Sequence, residues 1–291
     1  MNIRIGSRDS KLAVVQAEQV IAQLGMPCTL VTMKTTGDMI LDKTLDQVGG
    51  KGLFVKELDR ALAAGEVDLT VHSLKDVPME QPEGMPLVAY TVREDARDVL
   101  VLPQGQGVSE LDRSKPIGCA SARRRVQLKH LFPDIEIKPV RGNVQTRLRK
   151  LDSGEYGALV LAAAGLHRLG LQDRISRYFS PEEIIPAAGQ AILAVQGREG
   201  QCPEAVVRLD DPEARVCALT ERAYVRTLGG GCFAPVAAYA CVTGDTVTLR
   251  AMYATEDEQT VVYGIDTAPR DQAEALGAQL ARKLQKEAEH P

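Results

Sequence analysis

Residues 3–24, "IRIGSRDSKLAVVQAEQVIAQL", decide the architecture. The first four read as a short strand, and Gly6-Ser7-Arg8-Asp9-Ser10 then open an amphipathic helix over 10–24 with Leu12, Val15, Val20 and Leu24 as its apolar positions. The alternation recurs downstream. Strands are predicted at 28–34, 67–72 and 86–92 with a helix over 53–64; a second set has strands at 99–102, 117–119, 135–140 and 158–161 and helices near 122–131 and 143–152. Such alternation predicts α/β layers around mainly parallel sheets. From about residue 214 the pattern changes to a helix over 214–227, a glycine loop, strands at 236–243, 246–254 and 260–266, and a helix over 270–287, which reads as a small α+β unit. The glycine-bearing stretch 35–52 is read as a long mobile loop.

A chain of 291 residues exceeds what one core usually serves, so two or three domains are expected. Its 44% hydrophobic and 25% charged residues are those of a soluble globular protein. No apolar leader precedes the first strand, and the longest apolar run, 158–166, is too short to span a bilayer, which predicts a cytoplasmic protein without membrane contact. The six cysteines form no CxxC pair and no Cys/His cluster of zinc spacing, so neither a metal site nor structural disulfides are expected. Most are read as small buried hydrophobes. Cys232, inside "LGGGCFAP" (228–235), is the exception, because glycines free a loop and let other groups approach it.

The net charge of −4 hides an asymmetry. Residues 113–150 hold eleven Lys or Arg against Asp134 and Glu136, so that stretch is +9 and the rest sums to −13. One basic block on an acidic chain suggests a site for an anionic ligand, and its one aromatic, Phe132, argues against a nucleic-acid stacking platform. The residues just after each predicted strand carry it further, because ligands of open α/β sheets sit beyond the strands' carboxyl ends. Arg8 and Ser10, then Ser73, Lys75 and Asp76, then Ser121, Arg123 and Arg124, then Arg141 and Arg147, then His167 and Arg168 occupy those places. Together they describe a cleft for a ligand with several carboxylates or phosphates. Plainer readings stand beside this: Ser73-x-x-Asp76 fits a helix capping box, Ser121 fits an N-cap, and the four histidines read as structural or surface residues. A periplasmic-type binding protein explains the double α/β pattern and the basic cleft, and an RNA or phosphate binder explains the charge alone.

Seven segments, "GSRDSKLA" (6–13), "VGGKGLFVKEL" (48–58), "VHSLKDVP" (71–78), "REDARDVLV" (93–101), "RGNVQTRL" (141–148), "LAAAGLHRLGL" (161–171) and "GGGCFAP" (229–235), stand in an order that resembles the porphobilinogen deaminase, or hydroxymethylbilane synthase, family over essentially the full length. The resemblance implies three domains: 1–93 with 190–210, 97–186, and 214–291, the first two like periplasmic binding proteins. It implies a dipyrromethane cofactor attached through Cys232, onto which four porphobilinogen molecules are condensed with loss of ammonia before a linear tetrapyrrole is released. It makes Asp76 the catalytic carboxylate. Cofactor contacts fall on Ser73, Lys75, Asp38, Ser121, Arg123 and Arg124, and substrate contacts on Arg8, Ser10, Lys51, Phe54, Arg141, Arg147 and Arg168. No metal is implied, and a monomer is expected.

Overall fold

The computed structural model describes residues 2–39, 52–230 and 234–289, with residues 38 and 39 described through their backbone alone. Three sheets organise the described residues. The first contains β1 (Ile3–Arg8), β2 (Cys28–Met33), β3 (Leu69–Ser73), β4 (Leu87–Tyr90) and, from far downstream, β10 (Leu193–Gly197), in the order β2-β1-β3-β10-β4. The second contains β5 (Asp98–Val101), β6 (Ile117–Cys119), β7 (Ile137–Pro139), β8 (Ala158–Ala162) and β9 (Arg177–Tyr178), in the order β7-β6-β8-β5-β9. β11 (Val236–Thr243), β12 (Thr246–Ala254) and β13 (Val261–Pro269) form an antiparallel third sheet.

The expectation of mainly parallel sheets holds for four of the five strands in each of the first two sheets. β1 pairs β2 and β3 in parallel, and β6 pairs β7 and β8 in parallel. In the first sheet, however, β10 runs antiparallel to β3 and β4, as β5 does to β8 and β9 in the second. The two sheets therefore share one topology, each with a single reversed strand in fourth place. β10 escaped the sequence reading because its five residues, Leu-Ala-Val-Gln-Gly, are all buried and show no alternation. They enter the sheet of the first ninety residues only through a crossover of some hundred positions.

Local chemistry explains why the leading unit forms as read. Ser10 is the N-cap of helix Lys11–Leu24, accepting from the Ala13 N–H, and Gly25 closes the helix in the left-handed region at φ 63°. The buried helix face is Gln16, Ala17, Val20 and Leu24, so the stripe lies one step round from the Leu12–Val15 line expected. It packs on Ile3, Ile5, Leu69 and Val195. In the third unit, helices Pro212–Thr227 and Ala273–Glu289 cover one face of the sheet with Tyr224, Leu276, Leu280 and Leu284.

Among the described cysteines only Cys119 and Cys217 are buried; Cys28 and Cys202 are half-buried and Cys241 is exposed, so the expectation that most are core residues fails. None of the five is in a disulfide. Among the described residues no cluster could hold a metal ion, and no helix is long and apolar enough to cross a membrane.

Candidate active site

A cleft of about 1420 Å³ lies where the carboxyl ends of the two α/β sheets face the glycine loop of the third unit. Arg8, Ser10, Phe54, Ser73, Lys75, Asp76, Ser121, Arg123, Arg124, Arg141, Arg147 and Arg168 all line it, as do Gly229, Gly230 and Ala234. The remaining expected positions, Lys51, Cys232 and the side chain of Asp38, lie outside the described residues, as does most of the 35–52 loop. Among the described residues, eleven Lys or Arg line the cleft against four acids, Asp9, Asp59, Asp76 and Glu80.

The plainer readings of two motifs do not hold. Asp76 closes a 3₁₀ turn, Leu74–Asp76, whose preceding residue Ser73 makes no side-chain cap; the Ser73 hydroxyl lies 2.9 Å from Gln16 Nε2 instead. Ser121 likewise precedes helix Ala122–Leu131 without capping it. Ser10, by contrast, spends its hydroxyl as a cap. Behind the Asp76 turn, Arg222 of helix Pro212–Thr227 donates to the carbonyls of Val77 (3.1 Å) and Pro78 (2.5 Å), so the third unit holds the exit of that turn. The Arg8 guanidinium sits 4.4 Å over the Phe54 ring. Gly37 makes that possible, because a Cβ there would come within 2.3 Å of the ring.

Arg123 and Arg124 are more deeply placed than a surface-facing pair. Both reach the fully buried Asp98 at 2.7 Å, and Arg124 also donates to the Val160 carbonyl. Burial opposes the Asp98 charge, but the two guanidiniums hold its carboxyl well below the usual carboxylate range. Gln190 donates to Asp98 at 2.9 Å and accepts from Lys75 Nζ at 3.4 Å, linking Lys75 to the arginine pair. Burial lowers Lys75 to about 8, and burial, with Arg124 and Arg141 close by, lowers Arg147 to about 10. Arg168, lowered to about 10 by burial, donates to the Ala191 carbonyl at 2.7 Å.

Sequence reasoning missed Asp98, Gln190, Arg93 and Glu221. The fully buried Glu221 receives Arg93 at 2.6 Å and the N–H groups of Gly189 and Ala240, so one carboxylate ties the segments around residues 93 and 189 to the third sheet. Gly189 is in the left-handed region at φ 72°, and a Cβ there would strike Leu74 at 2.6 Å. The signal for Asp98 and Arg93 was present in "REDARDVLV" but carried no spacing that separates a buried ion pair from a solvated one.

Asp98→Asn should cost about 3–5 kcal/mol, because two buried guanidiniums lose their counter-charge. Chemical denaturation checks this. A loss under ~1 kcal/mol would mean that water already screens the pair.

With this geometry in view, the relatives decide the family. Residues 3–204 match the family described as "Porphobilinogen deaminase, dipyromethane cofactor binding domain", and 215–286 match "Porphobilinogen deaminase, C-terminal domain". The chain belongs to the porphobilinogen deaminase family. A porphobilinogen deaminase from Acetivibrio thermocellus is 50% identical, over 99% of this chain and all of its own length. One from Ruminiclostridium cellulolyticum is 51% identical over 97% of each chain, and one from Chromobacterium violaceum 46% identical over 97% of this chain and 94% of its own. The VFT2 domain of BvgS from Bordetella pertussis overlaps 72% of this chain and 85% of its own length at 14% identity and a TM-score of 0.42. In this porphobilinogen deaminase family member the cleft residues from Arg8 to Arg168 fall within the matched span 3–204.

Proposed function

We propose that the cleft binds a dipyrromethane joined to Cys232 and condenses porphobilinogen at Asp76. The enzyme is a transferase, hydroxymethylbilane synthase: four porphobilinogen molecules are joined head to tail, each losing ammonia, and the linear hydroxymethylbilane is released. The observation that carries the residue assignment is the charge of the cleft, eleven basic side chains among the described residues around the turn bearing Asp76. Each pyrrole of porphobilinogen brings two carboxylates, so a chain that grows by pyrroles needs such a wall.

When bound, the dipyrromethane supplies the free pyrrole α-carbon on which the chain grows. Cys232 would hold it, since Gly229, Gly230 and Ala234 on either side open onto the cleft, and Ser73, Lys75, Asp38, Ser121, Arg123 and Arg124 would bind it. Arg8, Ser10, Lys51, Phe54, Arg141, Arg147 and Arg168 would bind porphobilinogen and its successors. The Asp76 carboxylate accepts the pyrrole N–H of porphobilinogen and offsets the positive charge that develops as the aminomethyl nitrogen leaves. We read the chain as three domains, 1–93 with 190–210, 97–186, and 214–291; the distribution of strands over three sheets supports the division. We read it also as a cytoplasmic monomer that binds no nucleic acid.

Intact mass tests the assignment. A covalent increment of two pyrrole units is expected on protein from cells that make tetrapyrroles. The bare sequence mass there would favour a binding protein that only shares the fold.

Two further outcomes follow from the cleft. Arg141→Leu should block cofactor assembly or the first additions, whereas Arg113, paired with Asp134 on the surface at 3.5 Å, should be nearly silent when replaced. Arg124→Leu is a poorer probe, because it also strands Asp98 and destabilises the fold. Equal effects at Arg141 and Arg113 in a porphobilinogen-consumption assay would reduce the cleft to a general basic surface. Lys75, lowered to about 8, loses its charge as pH rises through that value, so kcat/KM should fall above about pH 8 and Lys75→Arg should move that limb upward. An unmoved limb would remove Lys75 from carboxylate binding.

A further inference from the structure

Against the cleft, and sharing Arg8, Gln16, Phe54, Val55, Ser73 and Asp76 with it, lies a second, much smaller cavity of about 20 Å³, lined also by His72, Val71 and Ala13. About 10–15 Å³ suffices for one water, provided the site is polar and offers two to four partners. This one does.

His72 is the unused group here. It is 5% exposed, and its Nε2 lies 2.8 Å from Thr70 Oγ1 and 3.1 Å from Gln196 Oε1. The Gln196 amide nitrogen donates to the Met85 carbonyl, so its oxygen is the end that faces the imidazole. An amide oxygen only accepts, and Nε2 must therefore carry the ring proton. Nδ1 is then a lone-pair acceptor, and among the described residues no hydrogen bond reaches it. Burial, with Arg8 nearby, lowers His72 to about 4, so the ring stays neutral at physiological pH and Nδ1 keeps its lone pair.

We propose that one ordered water occupies this cavity and bridges His72 Nδ1 to the Asp76 carboxylate, making His72 a positioning residue for that carboxylate. The water donates one hydrogen to Nδ1 and the other to Asp76, while Ser73 or Gln16 can supply a donor to its oxygen. A fixed neutral acceptor behind the carboxylate steers its orientation without adding charge that would compete with the departing ammonium. The inference rests on the reading of Asp76 as catalytic.

Two substitutions separate the ring's halves. His72→Gln places a polar group near the Nε2 position and can keep the bond to Gln196, but has nothing at Nδ1; His72→Asn does the reverse. Positioning predicts that His72→Gln keeps its thermal midpoint yet loses ~10-fold or more in kcat with KM within about twofold. His72→Asn should lose midpoint but hold kcat within about threefold. Asp76→Asn, run in parallel, distinguishes the failures. If Asp76→Asn is inactive and His72→Gln turns over normally, the bridging role is wrong and the catalytic reading stands. If Asp76→Asn is near normal, both fall. Diffraction from the wild-type holoenzyme is independent of any variant's folding: density for a water within about 3.2 Å of both Nδ1 and the Asp76 carboxylate supports the bridge, and its lack in a well-ordered site overturns it.

Discussion

Cys232→Ser is expected to give a folded protein that carries no covalent pyrroles and consumes no porphobilinogen. A serine hydroxyl is almost wholly protonated at neutral pH and is a far poorer nucleophile than a thiol, so the thioether does not form. Among the five described cysteines, Cys119 and Cys217 are buried with thiols pushed up by burial, Cys217 to about 12, and Cys28 and Cys202 are raised the same way. Such thiols are poor attackers. Cys241 is exposed on β11 and is the natural control. Serine at each of the other five should leave the two-pyrrole mass increment intact. Loss of the increment in Cys119→Ser with its retention in Cys232→Ser would move the attachment site and with it the growing chain. Far-UV circular dichroism and the thermal midpoint check that the Cys232→Ser protein is folded, so that a missing increment reports chemistry alone.

Much of this site was legible because strand-to-helix junctions print their chemistry in order. Arg8 ends β1, Lys75, Asp76, Ser121 and Arg141 come within three residues of a strand end, and Arg168 ends the short helix after β8; the topology carries those places to one cleft. What was not legible are the groups that act across the chain. Asp98 lies 25 and 26 residues from the arginines it holds, and Glu221 lies 128 from Arg93; no local period marks such partners. β10 was missed for the same reason, since its pairing with β3 spans more than a hundred residues. Boundaries held best where turns are short, as in β11 and β12, whose expected and observed ends coincide across Gly244-Asp245. Edges set by packing slipped by up to three residues, as where the helix expected from residue 53 begins at Lys56.

Asp76→Asn should lower porphobilinogen turnover by at least ~10²-fold while shifting the midpoint little. The side chain keeps an oxygen and nearly the same shape, so whatever neutral hydrogen bonds the turn needs survive. The structure supplies the reason to expect no folding penalty: Ser73 makes no side-chain cap to the Leu74–Asp76 turn, and the turn's exit is held by Arg222 through the Val77 and Pro78 carbonyls. Lost instead is the negative charge that the developing cation needs, in a cleft whose other charged side chains are mostly basic. Without it, the surrounding arginines and Lys75 repel that cation rather than merely failing to help it. Asp76→Glu should therefore retain more activity than Asp76→Asn, since the charge survives even though the longer side chain misplaces it. Loading must be separated from turnover, so each variant is supplied with preformed bilane and its covalent mass is confirmed before assay. A lowered midpoint with near-normal consumption would make Asp76 a structural residue of the turn. A glutamate variant no better than asparagine would show that placement, rather than charge, is what the 3₁₀ turn provides.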